Sequence, residues 1–259
     1  MSESMRLAAL DRFEILDTPA EPLFDSLTDL AAQTFGVPIA LISLVDSERQ
    51  WFKSRVGLDV DHTDREISFC QHAILSDDVF VVEDAARDAR FCDNPLVVGA
   101  PNIRFYAGAP LITREGFRLG TLCIIDTVPR AFAQSDALRL QAIAKSVMQA
   151  VVMRLDSLER ERISIEVEQK AELLRQAEDM AGVGTWSWDV ARDRTRWSPQ
   201  VYRIHGYDPV DEPPPLQGVL EKYHPDDAKL LEQYVYRALK EGKDYGLEAR
   251  IYRPDGSIR

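Results

Sequence analysis

Between Asp136 and Ala181 the chain contains neither proline nor glycine. Those are the residues that most readily end a helix. The stretch therefore predicts one long helix from Ser135 to about Met180, with Ser135 or Asp136 capping its start. That helix divides the chain in two. Ala144, Val151, Leu158 and Ile165 stand seven apart, flanked by Val147 and Leu155. Arg154, Glu161 and Glu168 occupy the other seam position, so the pattern is half of a heptad repeat. Leu138 to Val151 are expected to pack on the preceding domain. Farther along, the helix is rich in Glu, Arg and Gln and too polar for a core. It reads as a rigid connector that pairs with its copy in a parallel homodimer through Val151, Leu158 and Ile165.

The region before the helix alternates helices with hairpins. Leu7, Leu10, Phe13 and Leu16 mark a short amphipathic helix over 6–16, ended by Asp17-Thr18-Pro19. A second helix is expected over 21–35, with Gly36 as its C-terminal cap and Pro38 beyond. The run 39–45 is almost wholly apolar, which suits a central strand, and 51–56 returns as its hairpin partner. A loop is expected over 57–67, a strand over 79–82, and a further hairpin from 105–112 and 117–125. After Gly182-Val183-Gly184 a second unit begins. It has strands at 185–190 and 195–197, and a short helix opened by Ser198-Pro199. A loop follows at 211–215, then a helix at 225–240 capped by Gly242, and a strand at 245–253. Strands joined largely by hairpins, with flanking helices, predict an α+β fold on antiparallel sheets.

A length of 259 residues fits about two domains at roughly 150 residues each. The net charge of −12 argues against a nucleic-acid surface or an anionic membrane surface. No apolar run approaches the ~20 residues of a membrane span, and the first residues lack the pattern of a signal peptide. Cys70, Cys92 and Cys123 are too few and too scattered for a disulfide scaffold, so a reducing, cytoplasmic setting is expected. At the other end, Arg253-Pro254-Asp255-Gly256-Ser257 reads as a hairpin turn whose second arm stops at Arg259. The expectation is a fragment whose downstream output domain is missing from this chain.

Several phrases of the first region occur in the order found in a known family. They are Ile15-Leu16-Asp17-Thr18-Pro19, Arg49-Gln50-Trp51-Phe52-Lys53-Ser54, Phe69-Cys70-Gln71-His72-Ala73-Ile74 and Leu119-Gly120-Thr121-Leu122-Cys123-Ile124-Ile125-Asp126. The region resembles a GAF domain, over roughly Leu10 to Val152, of the subgroup at the N-terminus of bacterial sensor kinases. The later phrases Gly184-Thr185-Trp186-Ser187-Trp188-Asp189, His224-Pro225-Asp226-Asp227 and Arg253-Pro254-Asp255-Gly256-Ser257 resemble a PAS domain lacking its final strands. The resemblance implies a GAF-like domain over 1–152 with N-terminal helices, a connector helix over 135–180 and a PAS-like domain over 178–259. It implies a sensory input region of a two-component sensor histidine kinase acting in a phosphorelay. A diguanylate cyclase or phosphodiesterase is the alternative parent. Both families often hold a small-molecule ligand between sheet and helices.

Cys70 and His72 are the sharpest pair. Two residues apart, they suit metal binding, tetrapyrrole attachment or an activated thiolate. No second ligand pair at zinc-like spacing accompanies them, and no metal site is expected. The plainer alternative makes Cys70 a small buried residue and His72 a hydrogen-bonding partner of its loop. Cys70 and Cys92 also resemble, in order, two cysteines of the GAF-fold free-methionine sulfoxide reductases, which leaves a thiol redox sensor or reductase as an alternative. Cys123, in an apolar strand, is expected to be core. Arg104 and Tyr106, placed on the sheet edge, are candidates to orient a polar ligand. The favoured alternative is that Asp84 and Asp88 pair with Arg87, Arg90 or Arg104 and merely hold the loop. In the second unit Trp188 and Tyr202 are candidates to line a pocket, with core packing as the alternative. No phosphate-binding loop, nucleophile elbow or kinase motif occurs, so no catalytic residues are expected, and no cofactor is required.

Overall fold

The computed structural model describes residues 2–209 and 212–259. Asp211, the expected opening of the 211–215 loop, lies outside them. The fold is α+β, and the chain falls into two compact units, Met1–Glu161 and Arg162–Arg259.

The first unit begins with α1 (Glu3–Arg12) and α2 (Pro22–Phe35). There follow β1 (Ile39–Val45), β2 (Arg49–Val56) and β3 (His62–Asp64), with a single 3-10 turn at Arg65–Ile67. After them come α3 (Cys70–Ala73), β4 (Phe80–Val82), α4 (Pro95–Val98), β5 (Phe105–Ile112) and β6 (Arg118–Asp126). The 48-residue helix α5 (Gln134–Ala181) then starts. It runs close to the span that the lack of proline and glycine predicts. The unit boundary falls inside it.

One antiparallel sheet carries this unit, in the order β3-β2-β1-β6-β5-β4. β1 lies between β2 and β6 and is buried at all seven positions, as its apolar run requires. Alternation sorts its side chains and those of β5 and β6 onto two faces. On one face Ala40, Ile42, Leu122, Ile124, Phe105 and Ala107 pack with Phe24 of α2 and with Leu140, Val147 and Val151 of α5. On the other, Leu41, Cys123, Ile125 and Tyr106 pack with Phe69, Cys70, Phe91 and Val97. A sheet covered on both faces needs apolar residues on both, hence the near-continuous runs. α2 ends at Gly36 in the left-handed region (φ 57°), the cap expected of it. α1 stops earlier than its apolar spacing suggests, because Glu14 and Asp17 take left-handed backbone (φ 47° and 57°). β3, α3 and α4 are too short for the sequence to show a period.

The second unit contains a two-stranded antiparallel sheet, β7 (Trp186–Asp189) with β8 (Arg194–Trp197). Three helices follow, α6 (Pro199–His205), α7 (Leu216–Leu220) and α8 (Pro225–Glu241). Ser198 does precede α6, but its hydroxyl accepts from the amide of Thr185 (3.1 Å) rather than capping the helix. α8 closes at Gly242 (φ 65°). The strand expected over 245–253 is not a ladder. Isolated bridges join Tyr223 to Ile251 and Tyr252 to Ile258. The Pro254-Asp255-Gly256 turn does form, with Ile251 and Arg259 exchanging both backbone hydrogen bonds at 3.0 Å.

Candidate functional site

The face of the first sheet away from α2 and α5 holds a cavity of about 370 Å³. Its floor is sheet: Leu41 of β1, Phe52 of β2, Tyr106 of β5, and Cys123 and Ile125 of β6. Its walls come from the segment around β3 and from α3, α4 and the chain after α4. Most of this lining is apolar. Gln50, Asp59, His62 and Thr63 are the polar exceptions, all on the β2–β3 side. Gln50 is buried and held in place: its carbonyl accepts from Ser68 (2.7 Å) and Ser43 (3.4 Å), while its amide donates to Thr63 (2.7 Å).

Cys70 lies in the wall. The hydroxyl of Thr121 donates to its sulfur at 3.1 Å and that of Tyr106 at 3.3 Å. The sulfur of Cys123 is 3.9 Å away. Thr121 and Cys123 share one face of β6, and Ser43 is paired with Thr121 on the neighbouring strand. The Tyr106 ring reaches Cys70 by lying over Gly108, where a Cβ would come within 2.2 Å of the tyrosine oxygen. Burial alone opposes a Cys70 thiolate, but the donors Cys123, Thr121, Tyr106 and Ser43 outweigh it and bring its pKa below the ordinary thiol value. Cys123 is pushed the other way, by its hydrogen bond to Cys70 and by burial. The Tyr106 hydroxyl is also raised, mainly by burial, and stays a donor.

The sequence candidates therefore separate. Cys70 and Tyr106 come together at the cavity. His72 does not join them: it is half-buried, edge-on to Phe91 (5.0 Å between ring centres) and stacked beside Phe80. Its pKa is lowered, first by burial and then by Arg90. Arg104 is committed elsewhere, donating through Nε and Nη2 to Asp84 at 2.8 and 2.9 Å. β5 is not an edge strand as expected, since β4 lies outside it. Asp88 pairs with Arg90, so both acids hold the loop. The sulfur beside Cys70 is that of Cys123, and Cys92 is not in the cavity wall. Cys123 is core, as expected, yet also faces the cavity, a role missed although Thr121-x-Cys123 has the period of one strand face.

Trp188 donates from its indole to Asp193 (2.9 Å) and packs beside Leu220, Leu231 and Val235. Tyr202 is buried edge-on to Trp197 (5.3 Å). Trp197 in turn stacks on His205 at 4.7 Å. Of the expected dimer-helix residues, Val151 is only 1% exposed and belongs to the core of the first unit, which agrees with the packing expected of Leu138 to Val151 and corrects its place in the dimer seam, whereas Ile165 is 48% exposed. Among the described residues no group of three or more His, Cys, Asp or Glu is placed to hold a metal ion. No helix among them is long and apolar enough to cross a membrane.

Residues 19–151, just over half of the chain, match the family model of the GAF domain. The chain belongs to the GAF-domain family. Residues 194–259 match the PAS fold. The pairing of these two domain types is that of a signalling sensor region. The chain is 48% identical over 147 residues to the cyclic di-GMP phosphodiesterase PA2567 of Pseudomonas aeruginosa, a match covering 56% of this chain and 25% of that protein. It thus spans about a quarter of its relative's length. Among solved structures, the GAF domain of an Acinetobacter phosphoenolpyruvate-protein phosphotransferase superposes with a TM-score of 0.43 at 21% identity, over 59% of this chain and 95% of that one. The free methionine-R-sulfoxide reductase of Neisseria meningitidis gives 0.43 at 17%, over 62% and 95%.

Proposed function

We propose that this chain is the sensory input region of a cyclic di-GMP phosphodiesterase, with the cavity of its GAF domain as the ligand site. The 48% identity with a phosphodiesterase over 147 residues carries the choice of output. It supports that reading over a histidine kinase or a diguanylate cyclase. The cavity supports the ligand: about 370 Å³ falls within the range of small-molecule sites. Apolar walls with polar groups on one side suit a compact, mostly apolar molecule with one hydrogen-bonding end. Binding shifts the packing of the sheet against α2 and α5, and α5 carries the change onward. α5 pairs with its copy through the stretch containing Leu158 and Ile165, and the protein works in the cytoplasm.

The full-length protein that contains this chain is the material for the test. Incubation with cyclic di-GMP should give linear dinucleotide; histidine phosphorylation from ATP without that hydrolysis would refute the output assignment. For the site, a ligand present at 100 times its Kd adds about 2.7 kcal/mol to stability. A screen of small apolar alcohols and acids should raise the melting temperature of the native chain more than that of Leu96→Trp, which takes up part of the cavity. Equal shifts in both would remove the cavity from the proposal.

A further inference from the structure

Cys70 opens α3 and Cys123 lies within β6, yet their sulfurs are 3.9 Å apart. Both side chains are buried and both face the cavity. A disulfide needs about 2.05 Å, so closure asks each sulfur to move by roughly 1 Å. The two thiols are not equivalent. Tyr106 and Thr121 both aim their hydroxyls at Cys70, so negative charge is better supported on that sulfur than on Cys123. Two thiols in contact, one of them the better stabilised as an anion, is the arrangement that attack and resolution require. Both sulfurs border one cavity, which gives a buried pair room for a small reagent beside it.

The geometry points to a redox site in which Cys70 attacks a small hydroperoxide admitted by the cavity and Cys123 resolves the product as a Cys70–Cys123 disulfide. The Cys70 thiol ionises and its sulfur attacks one peroxide oxygen: an S–O bond forms, the O–O bond breaks, and the departing alkoxide or hydroxide takes up the proton that Cys70 released and leaves as alcohol or water. Cys70 is then a sulfenic acid. Cys123 attacks its sulfur: an S–S bond forms, the S–O bond breaks, and water leaves with the Cys123 proton. The thiol pair loses two electrons and the peroxide gains two. The disulfide ties α3 to β6 within the cavity wall. This site stands independently of which output domain the chain serves.

The reduced full chain is titrated with hydrogen peroxide and with tert-butyl hydroperoxide, alkylated, digested without reductant and mapped by mass spectrometry. The expected result is a peptide linking Cys70 to Cys123, with Cys92 alkylated. Cys123→Ser should stop at a dimedone-trapped sulfenic acid on Cys70. Thr121→Val should slow the first step roughly tenfold, with Thr121→Ser restoring it. A Cys70–Cys92 linkage, or oxidation confined to Cys92 while Cys70 and Cys123 remain alkylated, would overturn the proposal. The native map decides even if a variant fails to fold.

Discussion

Glu21 stands where the sheet meets the long helix, and its removal is expected to destabilise the first unit markedly. Lys53 projects from β2 with its side chain fully buried. Its ammonium donates to Glu21 (2.6 Å), the Pro19 carbonyl (2.7 Å) and the Thr18 hydroxyl (2.8 Å). Arg154 of α5 reaches the same Glu21 oxygen at 2.8 Å and the Glu14 carbonyl at 2.9 Å. Glu21→Ala leaves a buried cation with two neutral acceptors. Stripping one partner from a fully buried ion pair costs about 3–5 kcal/mol. Glu21 itself is 35% exposed, so water replaces part of the loss and the expected cost is nearer ~2–3 kcal/mol. For a unit of this size that is a fall in melting temperature of roughly 5–10 °C. Urea unfolding followed by near-ultraviolet circular dichroism should show a lower midpoint at an unchanged slope. Lys53→Met in the Glu21→Ala background should recover part of the loss, giving a coupling energy of about 1–3 kcal/mol. Acid provides a second check. Burial pushes the Glu21 carboxyl up, but Lys53 and Arg154 together hold it below its ordinary value. Its contribution is therefore complete above the unfolded value of about 4.3 and disappears as pH falls through the lower folded one. The gap between native and variant should close under those conditions. A cost under about 0.5 kcal/mol at neutral pH, with no coupling, would refute the reasoning.

Gly120 should tolerate no side chain: a Cβ would lie 1.9 Å from the Ser43 carbonyl oxygen and 2.7 Å from the Leu44 Cα, both backbone atoms of β1. Gly120→Ala is expected to push β1 from β6 and abolish cooperative unfolding of the first unit; native-like near-ultraviolet circular dichroism from the variant would contradict this. In the second unit, His205 is buried, its Nδ1 has no hydrogen-bond partner among the described residues, and burial, aided by Lys222 and Arg253, lowers its pKa to about 4. The unfolded chain takes up this proton near pH 6.5 and the folded one does not, so stability is complete above about 6.5 and is lost progressively towards pH 4. Proton NMR titration should find an imidazole that stays neutral at pH 5.5, and an ordinary midpoint near 6.5 would remove the effect.

What the sequence makes legible here is what repeats locally. The apolar run 39–45, the glycine after α2 and the proline-free stretch of α5 each carry their own signal, and each element forms where that signal lies. The site does not repeat. Cys70 and Cys123 are 53 residues apart, and what joins them is the register that sets Ser43 against Thr121 and the packing of α3 on β6. Part of this was nonetheless within reach: Thr121 with Cys123, and Tyr106 with Gly108, are pairs two apart on one strand face. Order along the chain suggested Cys92 as the partner of Cys70, but chain order carries no information about faces. The heptad stripe shows the same limit from the other side. Ala144 and Val151 lie on it and are buried within the first unit, while Ile165, on the same stripe, is exposed. Spacing records that a face is apolar without recording what covers it. Arg154 marks where the cover changes, since it spends its guanidinium on Glu21, Phe13 and Glu14 at the last turns still packed on that unit. A charge at a seam position thus reads as the edge of an intramolecular contact, and only the stripe beyond it is open to a second helix.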